Sequence, residues 1–252
     1  MAVWALADLH LSFGVPNKKM DVFGEVWVNH PEKIEKHWKA VVNENDLVLI
    51  AGDISWAKHL EESFPDLEWI DSLPGTKVMI RGNHDYWWSA ISKVRSILPP
   101  TIHVIQNDSF SWHDEVTVGG ARLWDDYEID YDGVVKQVEV DCIKPLTEKD
   151  LDKTRAEKIY ARELQRLENS LRSLNPRAKH RMVMTHYPPV GPHLEPTRAS
   201  KLLEKYRVDI CVFGHIHSMR HNVGPLFGEK NGIKYVMTAG DYLEFLPAKL
   251  ID

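Results

Sequence analysis

Five short apolar runs constrain this chain more than any other feature: residues 3–7, 47–51, 77–80, 181–185 and 210–213. They are rich in Val, Ile, Leu and Met and do not alternate with polar residues. A strand that reads this way is covered on both faces. Helical patterns separate the first three. Residues 31–42 open on Pro31 and place Ile34, Trp38, Val41 and Val42 on one face. Residues 59–73 predict a second helix, bent or broken at Pro65, and residues 84–98 a third, stopped by Pro99-Pro100. Strand–helix alternation of this kind predicts an α/β fold.

The later sequence changes character. Residues 101–123 contain strand-like pieces broken by Asn107-Asp108 and Gly119-Gly120, which predicts hairpins. Residues 125–144 are acidic and match no periodic pattern. Residues 147–174 predict a long helix, with Leu164, Leu167, Leu171 and Leu174 as its apolar stripe and Asn175-Pro176 as its end. Asn231-Gly232 predicts a hairpin turn. The expected architecture is an α/β sandwich of mixed sheets. No repeat or Ser/Gly-rich linker divides the 252 residues, so one domain spanning 1–252 is expected.

Each apolar run leads directly into a polar block, and these blocks carry the chemistry. The first run leads into Asp8-Leu9-His10 and the second into Gly52-Asp53. The third leads into Gly82-Asn83-His84-Asp85, the fourth into His186 and the fifth into Gly214-His215-Ile216-His217. The C-terminal edge of an α/β sheet is where ligands bind, so adjacent strands would bring these tips to one point. Asp8, His10, Asp53, Asn83, His186, His215 and His217 offer oxygen and imidazole nitrogen and no thiolate, a set suited to Mn, Fe, Zn or Ni. Seven donors exceed the needs of one catalytic ion and suffice for two that share a carboxylate. Asp53, alone on its tip, is the natural bridge. Two such ions activate a bridging hydroxide and clamp a displacement at phosphorus.

These blocks, in this order, resemble those of the calcineurin-like metallophosphoesterases over residues 8–217. The resemblance implies two packed sheets flanked by helices and a two-metal site at the strand ends. It implies that Asp8, His10, Asp53 and His217 hold one ion, and that Asp53, Asn83, His186 and His215 hold the other. His84 is then no ligand; it faces the phosphate and protonates the leaving oxygen. Asn83 and His84 would touch substrate, as would His193 in the loop after His186. One position departs from the Ser/Thr protein phosphatase branch. An Asp there pairs with the histidine; here the residue is Trp56. The string Asp8-Leu9-His10-Leu11-Ser12 also looks like the lipid-A pathway hydrolases, which usually carry Arg where this chain has His84.

The remaining histidines (His30, His37, His59, His103, His113, His180 and His221) read as surface or satisfied core groups. Tyr86, Trp87 and Trp88 read as helix packing, Trp124-Asp125-Asp126 as a segment near the site, and the charged faces of helix 147–174 as solvated. A formal charge of −6 speaks against a protein that tracks long nucleic acid. Cys142 and Cys211 are too few for a disulfide framework, and no basic, apolar leader or apolar run of spanning length is present. The expectation is a cytoplasmic phosphomonoesterase or phosphodiesterase acting on a small phosphorylated substrate, with nucleotides among the candidates. Its rivals are a Mn-dependent nuclease and a non-catalytic scaffold on the same fold.

Overall fold

A computed structural model describes residues 1–126, 129–131, 133–135, 153–220 and 225–252. The five apolar runs are all strands, and they divide between two sheets. The first sheet has the order β11-β1-β2-β3-β4, built from β1 (Val3–Leu6), β2 (Leu47–Ile50), β3 (Thr76–Met79), β4 (Ile102–Val104) and β11 (Ala248–Ile251). Its strands are parallel except β11, which runs antiparallel to β1. The second has the order β5-β6-β7-β8-β10-β9. It comprises β5 (Phe110–Trp112), β6 (Val116–Ala121), β7 (His180–Thr185), β8 (Ile210–Phe213), β9 (Gly228–Lys230) and β10 (Ile233–Met237). Its central pairs are parallel and its edges are antiparallel hairpins.

The absence of alternation in these strands has a direct cause, for each strand is buried on both faces. Val3, Ala5, Leu47, Leu49 and Val78 point between the sheets, against Val118, Met182, Met184, Ile210 and Val212. The intervening Trp4, Leu6, Val48, Ile50 and Met79 face the opposite way, into a second apolar layer with Ile34, Trp38, Leu67 and Ile70. Those last four belong to α1 (His30–Val41) and α2 (Phe64–Asp71). On the other side Val183, Cys211 and Phe213 pack with Leu167 and Leu171 of α4 (Lys153–Arg172) and Leu203 of α5 (Arg198–Lys205). The result is helix, sheet, sheet, helix. Among the described residues no helix is long and apolar enough to cross a membrane.

Two local expectations need correction, the helix over 84–98 and the turns at Asn107-Asp108 and Gly119-Gly120. The helix expected over 84–98 is confined to α3 (Ile91–Arg95). Residues 84–90 are held out of it because Asp85 turns inward and its carboxylate accepts from the N–H groups of Ile54, Ser55 and Gly82. The helix expected over 59–73 is broken beside Pro65, as expected: a 3-10 turn over Leu60–Ser63 precedes α2, with Pro65 in its first turn. Gly119-Gly120 makes no turn but lies inside β6, where a side chain on Gly120 would collide with the Met184 carbonyl. Asn107-Asp108 does not close a hairpin either, since β4 and β5 lie in different sheets. The Asn231-Gly232 turn joins β9 to β10 as expected. Residues 147–152 of the long helix, Cys142 and His221 lie outside the described residues.

Two buried charges fasten the first sheet to its helices. Lys77, fully buried on β3, donates to the carbonyls of Leu73 and Asp71 and to Thr101 Oγ1, the Asp71 contact at 3.3 Å and the Thr101 contact at 3.1 Å. An ammonium there satisfies the carbonyls just past the end of α2. Asp66 of α2 accepts from Phe13 N–H at 2.8 Å and from the Ser55 hydroxyl, tying together the loops after β1 and β2.

Burial pushes the Asp66 carboxyl up to about 6 from an ordinary 3.8, its hydrogen bonds offsetting only part of the effect. The folded state therefore binds a proton the unfolded chain has lost, and stability falls as pH rises from about 4 to about 6. Asp66→Asn, which mimics the protonated form, removes that segment of the pH dependence. Urea unfolding at pH 4.5–7 should show the variant gaining on the wild type as pH rises. Parallel curves would contradict this account of Asp66.

Candidate metal centre

The parallel strands β1, β2, β3, β7 and β8 all end on the same rim. Their tips carry all seven donors expected from the sequence, and the two sheets are stitched there by Ala7 N–H donating to Thr238 O at 2.7 Å. The backbone turns sharply at each tip. Asp8, His10, Asp53 and His215 are non-glycine residues with φ of 58, 45, 52 and 73°. This left-handed conformation costs on the order of 1–3 kcal/mol per residue and clusters at functional sites. Here it swings side chains that would lie along the strand into the gap between the tips.

The gap is filled mostly by lone pairs. His186 donates from Nδ1 to Ala51 O at 3.0 Å, so its Nε2 is left as an acceptor. That Nε2 lies 2.6 Å from Asn83 Oδ1 and 3.5 Å from Asp53 Oδ2, both acceptors as well. His215 Nδ1 is 3.1 Å from the same Asn83 oxygen. On the other side His217 Nδ1 is fixed by Asp241 at 2.9 Å, and its Nε2 faces His10 Nε2 at 3.3 Å and Asp8 Oδ1 at 3.8 Å. His10 Nε2 is 3.7 Å from Asp53 Oδ2. Asp53 Oδ2 is thus between the two groups, buried and without a hydrogen-bond donor. Buried atoms of this kind require a cation. Oxygen and imidazole donors fit a borderline divalent ion, and the placement of Asp53 fits a shared one. Asp8 is within reach of both groups, with His10 and His217 and with Asp53 and His186, although the His186 Nδ1 that lies 4.0 Å from it is used by Ala51.

The electrostatics agree. Burial pushes the Asp8 carboxyl up to about 7, against the pull of His217 and His186. Burial would raise Asp53 too, but His186, His10 and His84 outweigh it and hold it well below the usual carboxylate range. Burial lowers His186 and His217; for the first Asp53 and Asp8, and for the second Asp241, Asp8 and Asp53, reverse the effect and hold each at about 9. His10 and His215 are driven well below the ordinary value by burial. The cavity demands positive charge, and a proton on the imidazoles is the alternative to a metal.

His84 borders the donors, its ring 5.8 Å from that of His10. Its backbone N–H donates to Asp53 Oδ1 at 2.8 Å. Its ring packs against Trp56 at 4.7 Å, and Trp56 stacks on His10 at 4.9 Å and 21°. The residue that departs from the protein phosphatase pattern therefore packs on both His10 and His84. Trp87 and Trp88 are core residues, as expected, while Tyr86 is exposed. His193 stays outside the ring of donors, exposed, with its N–H on Glu195. Asp125 Oδ1 comes to 4.0 Å from His215 Nε2, which places the 124–126 segment at the rim.

Sequence reasoning missed Asp241, which orients His217 and accepts from Ser218 N–H at 2.8 Å. A signal existed. Ala239-Gly240-Asp241 after β10 repeats the Ala51-Gly52-Asp53 found after β2. It missed the role of Asp85 as well.

Gly82 and Gly214 show how closely the backbone approaches the donors. A methyl on Gly82 would overlap Asp53 Oδ1, and one on Gly214 would overlap Asp8 Oδ2. Gly82→Ala should fold but displace the shared carboxylate, so that the rise in melting temperature produced by Mn²⁺ in the wild type is lost. An undiminished Mn²⁺ response would show that Asp53 is not held as described.

The calcineurin-like phosphoesterase model matches residues 1–219. Gene 66 protein of Mycobacterium phage L5 is 34% identical over 82 residues, 32% of this chain and 39% of that protein. Gene 66 protein of phage D29 is 32% identical over 83 residues, 33% of this chain and 40% of its own length. The aligned stretch therefore spans about two fifths of the curated relatives it matches. Among solved structures, a phosphopantetheinyl hydrolase from Mycobacterium tuberculosis shares the fold with a TM-score of 0.57 at 13% identity, covering 99% of this chain and 95% of the other. With the family model covering most of its length and the family's fold in place, the chain belongs to the calcineurin-like phosphoesterases.

Proposed function

We propose that this protein hydrolyses a small phosphorylated substrate at a site holding two divalent ions that share Asp53. The observation that supports it best is the facing of His186 Nε2, Asn83 Oδ1 and Asp53 Oδ2, three acceptors that a cation would reconcile. Asp8, His10 and His217 with Asp53 would hold one ion, and Asn83, His186 and His215 with Asp53 the other. Bound there, such ions neutralise phosphoryl oxygens and supply a nucleophile at neutral pH.

The chain's own groups do the rest. Asp241 and the Ala51 carbonyl fix the tautomers of His217 and His186, so that each presents Nε2. His84 stands beside the shared carboxylate and delivers a proton to the departing oxygen. Trp56 holds its ring in place and gives that side of the site an apolar wall. None of the seven donors is replaced by a residue unable to bind a metal, which disfavours the scaffold reading, and the −6 charge disfavours the nuclease.

Chelator-treated protein should regain hydrolysis of p-nitrophenyl phosphate or its bis ester when Mn²⁺, Ni²⁺, Zn²⁺ or Mg²⁺ is added. The ratio of the two rates will separate monoesterase from diesterase, and cleavage of DNA instead would favour the nuclease. No ester hydrolysis with any metal would reject the proposal. His84→Ala should keep the ions and slow a poor leaving group such as phenol about 10²-fold or more, and p-nitrophenol less. Loss of the ions, or equal slowing of both, would remove His84 from that role.

A further inference from the structure

Beside the His186–His215 half of the site lies a group of arginines that the metal centre does not use. Glu163, 1% exposed on α4, receives three of them on one oxygen: Arg166 at 2.9 Å, Arg122 at 3.4 Å and Arg162 at 3.4 Å. Arg81 completes the set. It precedes Gly82-Asn83 by one and two positions, and burial, then the charges of Arg122 and Arg166, lower its pKa, with Asp85 and Glu163 opposing. Asp85 is committed elsewhere, to three backbone N–H groups and Trp87 Nε1. Among the described residues, Glu163 is the carboxylate paired with three of these four arginines, and the Nε atoms of Arg81 and Arg122 are buried without a hydrogen-bond acceptor.

The position of this group ties it to the site. The Arg122 carbonyl accepts from the N–H groups of His186 and Tyr187 at 3.1 and 3.0 Å. The Arg122 guanidinium lies 4.8 Å above the Trp124 ring, which packs on Tyr187, which in turn lies 3.9 Å from His215. Arg162 and Arg166 are 55% and 39% exposed, so the group opens to solvent. A structural salt bridge to one glutamate does not need four arginines, whereas a planar fork of donors suits a phosphate.

We infer that Arg81, Arg122 and Arg166 form a second anion subsite, and that the substrate is a small molecule with a second phosphate besides the one hydrolysed. This rests on the phosphoesterase reading above for the identity of the reaction, but not for the binding of the anion.

Two measurements test it. The first compares kcat/KM for adenosine 3′,5′-bisphosphate and adenosine 5′-monophosphate in Mn²⁺-loaded protein. The wild type should favour the bisphosphate at least tenfold, and Arg81→Gln or Arg166→Gln should bring the ratio close to one, chiefly through KM, with Arg166→Lys restoring part of it. The second is calorimetric titration of inorganic phosphate into the full chain with chelator present. Binding should weaken about tenfold in Arg166→Gln, whose melting temperature serves as the check on folding. Phosphate binding that is absent, or unchanged in Arg166→Gln, would overturn the subsite, as would a wild-type ratio near one. Arginine-dependent phosphate binding in a protein that hydrolyses no ester would support the subsite and reject the hydrolase reading instead.

Discussion

The structure is organised around a repulsion. Two imidazole nitrogens on one side, two on the other and the oxygens of Asn83 and Asp53 converge on one gap, where Asp53 Oδ2 is buried without a hydrogen-bond donor. Left uncompensated, such a gap would cost several kcal/mol. Much of the remaining architecture serves to keep it in place. Four donors or bridges stand on left-handed backbone, and two neighbouring glycines have no room for a methyl group. Asp85 and Asp241 are buried and spend their oxygens on the turns that carry Asn83 and His217.

The two-sheet sandwich makes this possible because its apolar content is distributed in three layers. The inter-sheet layer lets β1, β2, β3, β7 and β8 end on a common rim, and the outer layers anchor them to α1, α2, α4 and α5. A strained rim is tolerable when the strands below it are this thoroughly buried. Ties such as Asp66 to the Phe13 and Ser55 loops carry that rigidity upward to the segments bordering the donors.

Much of this was legible in the sequence for a physical reason. A doubly covered strand reads as a continuous apolar run, and a polar block immediately after it can only sit at a sheet edge. All seven donors were visible in that way. The sequence hid whatever depends on contacts between distant segments. Residues 84–98 have a helical composition, but Asp85 has three backbone donors to satisfy on other loops, and the helix yields. Gly119-Gly120 resembles a turn in isolation; the requirement it meets is the closeness of Met184 across β6 and β7. Asp241 is separated from His217 by 24 positions, and no local pattern joins them.

The most direct test of the central claim is the number of ions the gap takes up. Mn²⁺ titrated calorimetrically into chelator-stripped wild-type protein, and into Asp53→Asn, measures it. Two ions per chain in the wild type and a loss of at least one in the variant is the predicted result. No uptake by the wild type, or uptake that Asp53→Asn leaves unchanged, would mean that the facing acceptors are reconciled in some other way and that Asp53 is not the shared group.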